Sequence, residues 1–124
     1  MIRQRTVVTL LDRAIALLDA GDALAAAESF REAMAIDDRN VEAHHGLVRA
    51  LGNLGQHEAA IAAALALTVL TPSDPLAHTG LSIAQQQAGH IPQAEAAAGR
   101  ARILEWKQQL AEGSDPEGAR NALR

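Results

Sequence analysis

Apolar side chains recur at three- and four-residue steps along most of this chain, in stretches broken by glycines. Val7, Leu10, Leu11, Ala14, Leu17 and Leu18 form one stripe, and after Gly21 a second carries Ala23, Ala26, Phe30, Ala33 and Ile36. That spacing puts each set on one face of an α-helix. Asp22 predicts the start of the second helix, because its carboxylate accepts an orphan backbone N–H at a helix N-terminus. Asn40 opens the next unit in the same way, with Val41, Leu47, Val48 and Leu51 running to Gly55, then Ala60, Ile61, Ala64, Leu67 and Leu70. Thr71-Pro72 ends that helix, since a proline ring disfavours helical geometry in the residue before it. Asp74-Pro75 restarts the chain with a cap and a proline at the first helical position, followed by Leu81, Ala84 and Ala88 up to Gly89, and Pro92 lies in the first turn of a last helix. The pattern predicts an all-α chain of six helices in three antiparallel pairs.

The pairs are copies of one another. Gly21, Gly55 and Gly89 stand 34 residues apart, as do Ala26, Ala60 and Ala94, and Ile36, Leu70 and Leu104. Self-similarity at such a period means stacked supersecondary units, each burying the apolar face of its neighbour. A single domain over 1–124 is expected, with repeats at 7–40, 41–74 and 75–108 and an extension with a cap in 109–124.

The third unit ends unlike the second. Nothing in ARILEWKQQLAEG stops a helix before Gly113, so it should run past the repeat, with Ile103, Trp106 and Leu110 on one face. This terminal face must be capped or meet another chain. Ser114-Asp115-Pro116-Glu117 reads as a helix start, and Ala119 and Leu123 lie four apart, so a short C-terminal capping helix over residues 116–123 is expected to fold back onto Trp106. At the other end Ile2, Val7 and Leu10 supply a second open face.

Composition narrows the chemistry. Alanine dominates and the only aromatics are Phe30 and Trp106, so the helices can approach closely and the core depends on many thin layers. Cysteine is absent, which removes disulfides and thiolate chemistry; a reducing compartment, the cytoplasm, fits. The opening MIRQRTVVTLLDRAIALL is interrupted by Asp12 and Arg13 and reads as a helix rather than a signal peptide. No stretch reaches the roughly 18 apolar residues of a membrane span. The net charge is −4 and no repeat is strongly basic, which argues against a phosphate-reading surface and hence against nucleic acid. No Gly-flanked serine elbow and no phosphate-cradling G-x-x-x-x-G-K exists, and the carboxylates are scattered over helix surfaces. No catalytic residues, no cofactor and no enzyme are expected.

The repeat resembles the tetratricopeptide repeat family over residues 7 to 108. Counting each repeat from Val7, Val41 and Pro75, the small residue of the motif is met by Ala26, Ala60 and Ala94. The large residue four places on is met by Phe30 but becomes Ala64 and Ala98, and the closing proline occurs only as Pro72, with Trp106 in its place in the third repeat. The resemblance implies a right-handed superhelical stack, a solenoid whose concave groove is lined by the first helix of each pair and binds a peptide or a partner helix. It also places His44 and His78 where the family carries an aromatic packing residue, so both are expected to stack as packing groups. A metal there is not expected, because neighbouring helices lie about 8–10 Å apart whereas zinc needs nitrogen at about 2 Å.

Carrying the family's groove positions onto this chain implies Leu11, Asp12 and Ile15 from the first repeat, His45, Arg49 and Asn53 from the second, and Leu76, Thr79, Ile83, Gln86 and Gln87 from the third. Gly46 and Gly80 are expected to leave room for close backbone approach. Arg49 is the sole cation of the set, so a ligand with apolar anchors and a central carboxylate or carbonyl would suit it; alternatively Arg49 pairs with Glu42 or Asp12. Members that clamp acidic chaperone tails use Lys, Asn and Arg donors where this chain has Leu11, Ile15, Gly46, Leu76 and Gly80, so no such carboxylate clamp is expected. The leading reading is a non-catalytic adaptor for a protein or peptide. The alternative is a self-assembling scaffold that forms homo-oligomers through its terminal faces. A secretion-type chaperone, which resembles this layout but has a longer N-terminal arm than the six residues before Val7, ranks third.

Overall fold

The computed structural model describes residues 2–113. Six helices and no strand occur among them: α1 (Ile2–Asp19), α2 (Ala23–Ile36), α3 (Val41–Asn53), α4 (His57–Leu70), α5 (Pro75–Gln87) and α6 (Ile91–Glu112). The last helix runs past its repeat to Glu112, as the missing stop signal predicts. The expected cap over 116–123 lies outside the described residues.

Each pair turns on the same device. Gly21, Gly55 and Gly89 have φ of 87°, 75° and 84°, the left-handed region that a Cβ disfavours. The residue after each glycine donates its N–H to the carbonyl five residues back: Asp22 to Leu17 at 2.8 Å, Gln56 to Leu51 at 3.0 Å and His90 to Gln85 at 2.8 Å. These bonds satisfy carbonyls that the end of a helix would leave open. The three expected caps are also in place, with Asp22, Asn40 and Asp74 side chains accepting from the N–H groups of Ala25, Ala43 and Leu76.

Every helix packs on the next in sequence, and α3 also touches both α1 and α5. The first helices of the pairs therefore make one continuous layer, α1, α3 and α5; α2 and α4 each pack between the first helices on either side of them in sequence, and α6 packs on α5. Alanines at 0–4% exposure line the seam, among them Ala14, Ala26, Ala60 and Ala94, and Ser82 donates its hydroxyl across the third hairpin to the Ala94 carbonyl at 2.7 Å. Phe30 is the bulkiest fully buried side chain and presses its ring against Gly46 of α3. That contact joins the first repeat to the second.

His44 and His78 are buried, as expected of packing groups, and each also bonds to backbone. Each directs Nε2 to a carbonyl six residues upstream, His44 to Asp38 at 2.7 Å and His78 to Pro72 at 2.9 Å. A carbonyl can only accept, so Nε2 carries the proton. Each imidazole thus ties its helix to the loop that delivers the chain from the preceding repeat. In the first repeat the same place holds Leu10, and the residue six upstream, Gln4, lies within α1 itself.

Candidate functional site

Three helices, α1, α3 and α5, present parallel rows toward the inner face. On α3 the row is His45, Arg49 and Asn53, at spacings of four; on α5 it is Leu76, Thr79, Ile83 and Gln87. Between α3 and α5 the rows part to leave a cavity of about 270 Å³, lined by Val48, Arg49, Gly52, Asn53, Gly80, Ile83, Ala84 and Gln87. Four expected groove residues, Arg49, Asn53, Ile83 and Gln87, are thereby brought to one wall-to-wall space. Gly80 opens onto it as expected, since a Cβ there would meet nothing within 4 Å.

The chemistry of this space is mixed in a definite way. Val48, Ala84 and the half-exposed Ile83 form an apolar floor and side, while Asn53 and Gln87 bring amides that both donate and accept. A Cβ on Gly52 would stand 3.0 Å from Gln87 Oε1, so the amide lies directly over the α3 backbone. Arg49 is exposed, and neither Glu42 nor Asp12 pairs with it; among the described residues its guanidinium has no carboxylate within 4.0 Å. A guanidinium offers five donors in a planar fork that suits a carboxylate or carbonyl.

At the other end of the α3 row, His45 Nε2 stands 4.0 Å from Asp74 Oδ2, the carboxylate that caps α5. Leu76, two residues after Asp74, has its side chain largely exposed. Thr79 is half-buried and lies outside the cavity.

Several expectations need correction. Leu11 is only 5% exposed and belongs to the core, so it offers nothing to a ligand, whereas Asp12 and Ile15 beside it on α1 are exposed. Gly46 provides no room for a ligand backbone, because the Phe30 ring fills that space. Gln86 faces away from the cavity and lines a shallow depression with Ser82, Ile91, Ala94, Glu95 and Ala98. Val7, expected on the N-terminal open face, is buried in the core, while Ile2 is exposed. At the C-terminal end Ile103, Trp106 and Leu110 are 53, 60 and 54% exposed.

Val48 and Ala84 were missed. Val48 stands one repeat on from Ala14 and one repeat before Ser82, so a bulky residue replaces a small one at that place in the middle repeat, and this was the available clue. Among the described residues no helix is long and apolar enough to cross a membrane, and no cluster of three His, Asp or Glu side chains could hold a metal ion.

Comparison with known proteins agrees with this architecture. A tetratricopeptide repeat model matches residues 17–82. Among solved structures, the Yersinia enterocolitica type III secretion translocator chaperone SycD, described as an alternative dimer, superposes with a TM-score of 0.77 at 21% identity, covering 97% of this chain and 86% of that one. A mutant O-GlcNAc transferase of Thermobaculum terrenum gives a TM-score of 0.77 at 22% identity over 92% of this chain, but only 22% of the transferase. At these identities the likeness is one of fold, a superhelical stack of helix pairs. No curated protein sequence matches.

Proposed function

The chain belongs to the tetratricopeptide repeat family, and from that premise we propose that it is a non-catalytic adaptor that holds a segment of a partner protein on its inner face. The observation that carries this reading is the cavity between α3 and α5, with Arg49, which has no ion pair among the described residues, at one wall and Ile83 at the other. A partner segment fits with a carboxylate or carbonyl on the guanidinium and an apolar side chain against Ile83 and Val48. Charge-assisted hydrogen bonds from a planar guanidinium fix orientation, while the apolar contact supplies area. Asn53 and Gln87 can bond the backbone of an extended segment.

The test is a double substitution, Arg49→Glu with Ile83→Asp. It should reduce capture of partner proteins from lysate severalfold while leaving far-ultraviolet helicity unchanged, since both side chains are exposed. Equal capture by wild type and variant would refute the groove reading.

A second reading has its own support in the exposed row Ile103, Trp106 and Leu110 on α6, the alternative in which copies of the chain assemble. A concentration-independent monomer of 13.0 kDa by light scattering would eliminate it. The third reading, a secretion-type chaperone, has support in the near full-length likeness to the Yersinia chaperone, and is compatible with either surface.

A further inference from the structure

Two exposed helix faces, one on the inner side of α1 and one on α6, carry matching patterns. On α1, Val8 and Ile15 are 54 and 46% exposed and seven residues apart, and Asp12 and Asp19, also seven apart, flank them. On α6, Ile103 and Leu110 are seven apart, and Arg100 and Lys107, also seven apart, flank them. Seven residues is two helical turns, so each set is a straight apolar line with a parallel line of charge. The lines are acidic on α1 and basic on α6. No ion pair occupies these four charges among the described residues.

The register follows from the spacings. With α6 of one copy laid antiparallel on α1 of another, Ile103 faces Ile15 and Leu110 faces Val8; Arg100 then stands beside Asp19 and Lys107 beside Asp12. Both charged lines lie on the same rotational side of their apolar lines, and antiparallel helices bring such sides together. A parallel arrangement would separate them, and would set Arg100 beside Arg5 when Ile103 faces Val8.

We infer that the chain self-associates head to tail, the basic apolar face of α6 in one copy docking antiparallel on the acidic apolar face of α1 in the next. This rests on the self-assembly reading and sharpens it. The N-terminal partner surface is the Val8 and Ile15 line, not the Ile2, Val7 and Leu10 set. The interface is heterologous, so it generates a ring or an open filament rather than a closed twofold dimer. The α1 line includes Asp12 and Ile15 of the inner face, so a copy docked there shares the concave surface with the α3–α5 cavity while using none of that cavity's lining residues.

The decisive experiment swaps the charges. Wild type should show a mass above 13.0 kDa that rises with concentration in light scattering, and emission from Trp106, the single tryptophan, should shift to shorter wavelength as its surroundings lose water. Asp12→Lys with Asp19→Lys, or Arg100→Glu with Lys107→Glu, should each weaken association about 100-fold, because like charges are then juxtaposed across the interface. Mixing the two variants should restore assembly. Circular dichroism confirms that each variant is folded. A wild type monomeric at every concentration would overturn both this inference and the self-assembly reading, whereas assembly indifferent to both charge reversals would overturn only this inference.

Discussion

A Cβ built on Gly46 would collide with the Phe30 ring, whereas one built on Gly80 would meet nothing within 4 Å. Gly46→Ala should therefore destabilise the fold by roughly 1–3 kcal/mol, the usual cost of overpacking, visible as a lower urea midpoint. Gly80→Ala should do the reverse, raising stability by about 0.5–1 kcal/mol through helix propensity while weakening partner capture by narrowing the cavity. The two glycines occupy equivalent places one repeat apart, so nothing local distinguishes them. What separates them is the residue overhead, Phe30 above Gly46 and nothing bulky above Gly80, because the large residue kept by the first repeat is Ala64 in the second. Leu11 is only 5% exposed although its family position faces the groove, and only the packed structure shows it. Arg49 stands out in the sequence as the sole cation of the groove set, whereas whether Glu42 or Asp12 reaches it depends on packing: neither does among the described residues.

Helix boundaries were the most legible feature, since each is written in one or two residues with a mechanical consequence. The Asp22, Asn40 and Asp74 caps and the three left-handed glycines all occur where the sequence reading puts them. The starts of α4 and α6 are different: Gln56 and His90 occupy the cap positions without a side-chain cap bond. Gln56 has φ −85° and ψ 69°, close to the −93° and 73° of Asp22, which does cap. Gln56→Asp should therefore transplant the working cap, and the new carboxylate also meets the positive end of the α4 dipole. A gain of about 1 kcal/mol is expected, read as a rise in thermal midpoint. The imidazole bonds of His44 and His78 were not legible at this scale, because the carbonyl each one meets comes from a loop whose path the pattern of apolar residues does not specify.

Stability in a stack of repeats is shared between neighbours, so an element covered on one side only is held by half as much. α3 has α1, α2, α4 and α5 against it, whereas α6 packs chiefly on α5. Beyond Ala101 its side chains are exposed apart from the half-buried Leu104, through to Glu112. A lone helix of that length is marginal in water, so these turns depend on the regular part of α6 for nucleation and on cover for persistence. Amide hydrogen exchange should accordingly be slowest in α3 and fastest, within the helices, over 103–112. The head-to-tail contact changes one half of that statement. As concentration rises, protection should grow over 103–112 and over the Val8 to Asp19 face of α1 together, and not in α3 or α4, because docking supplies the missing side of both end helices at once. Protection gained at one end alone would mean that the two faces do not meet.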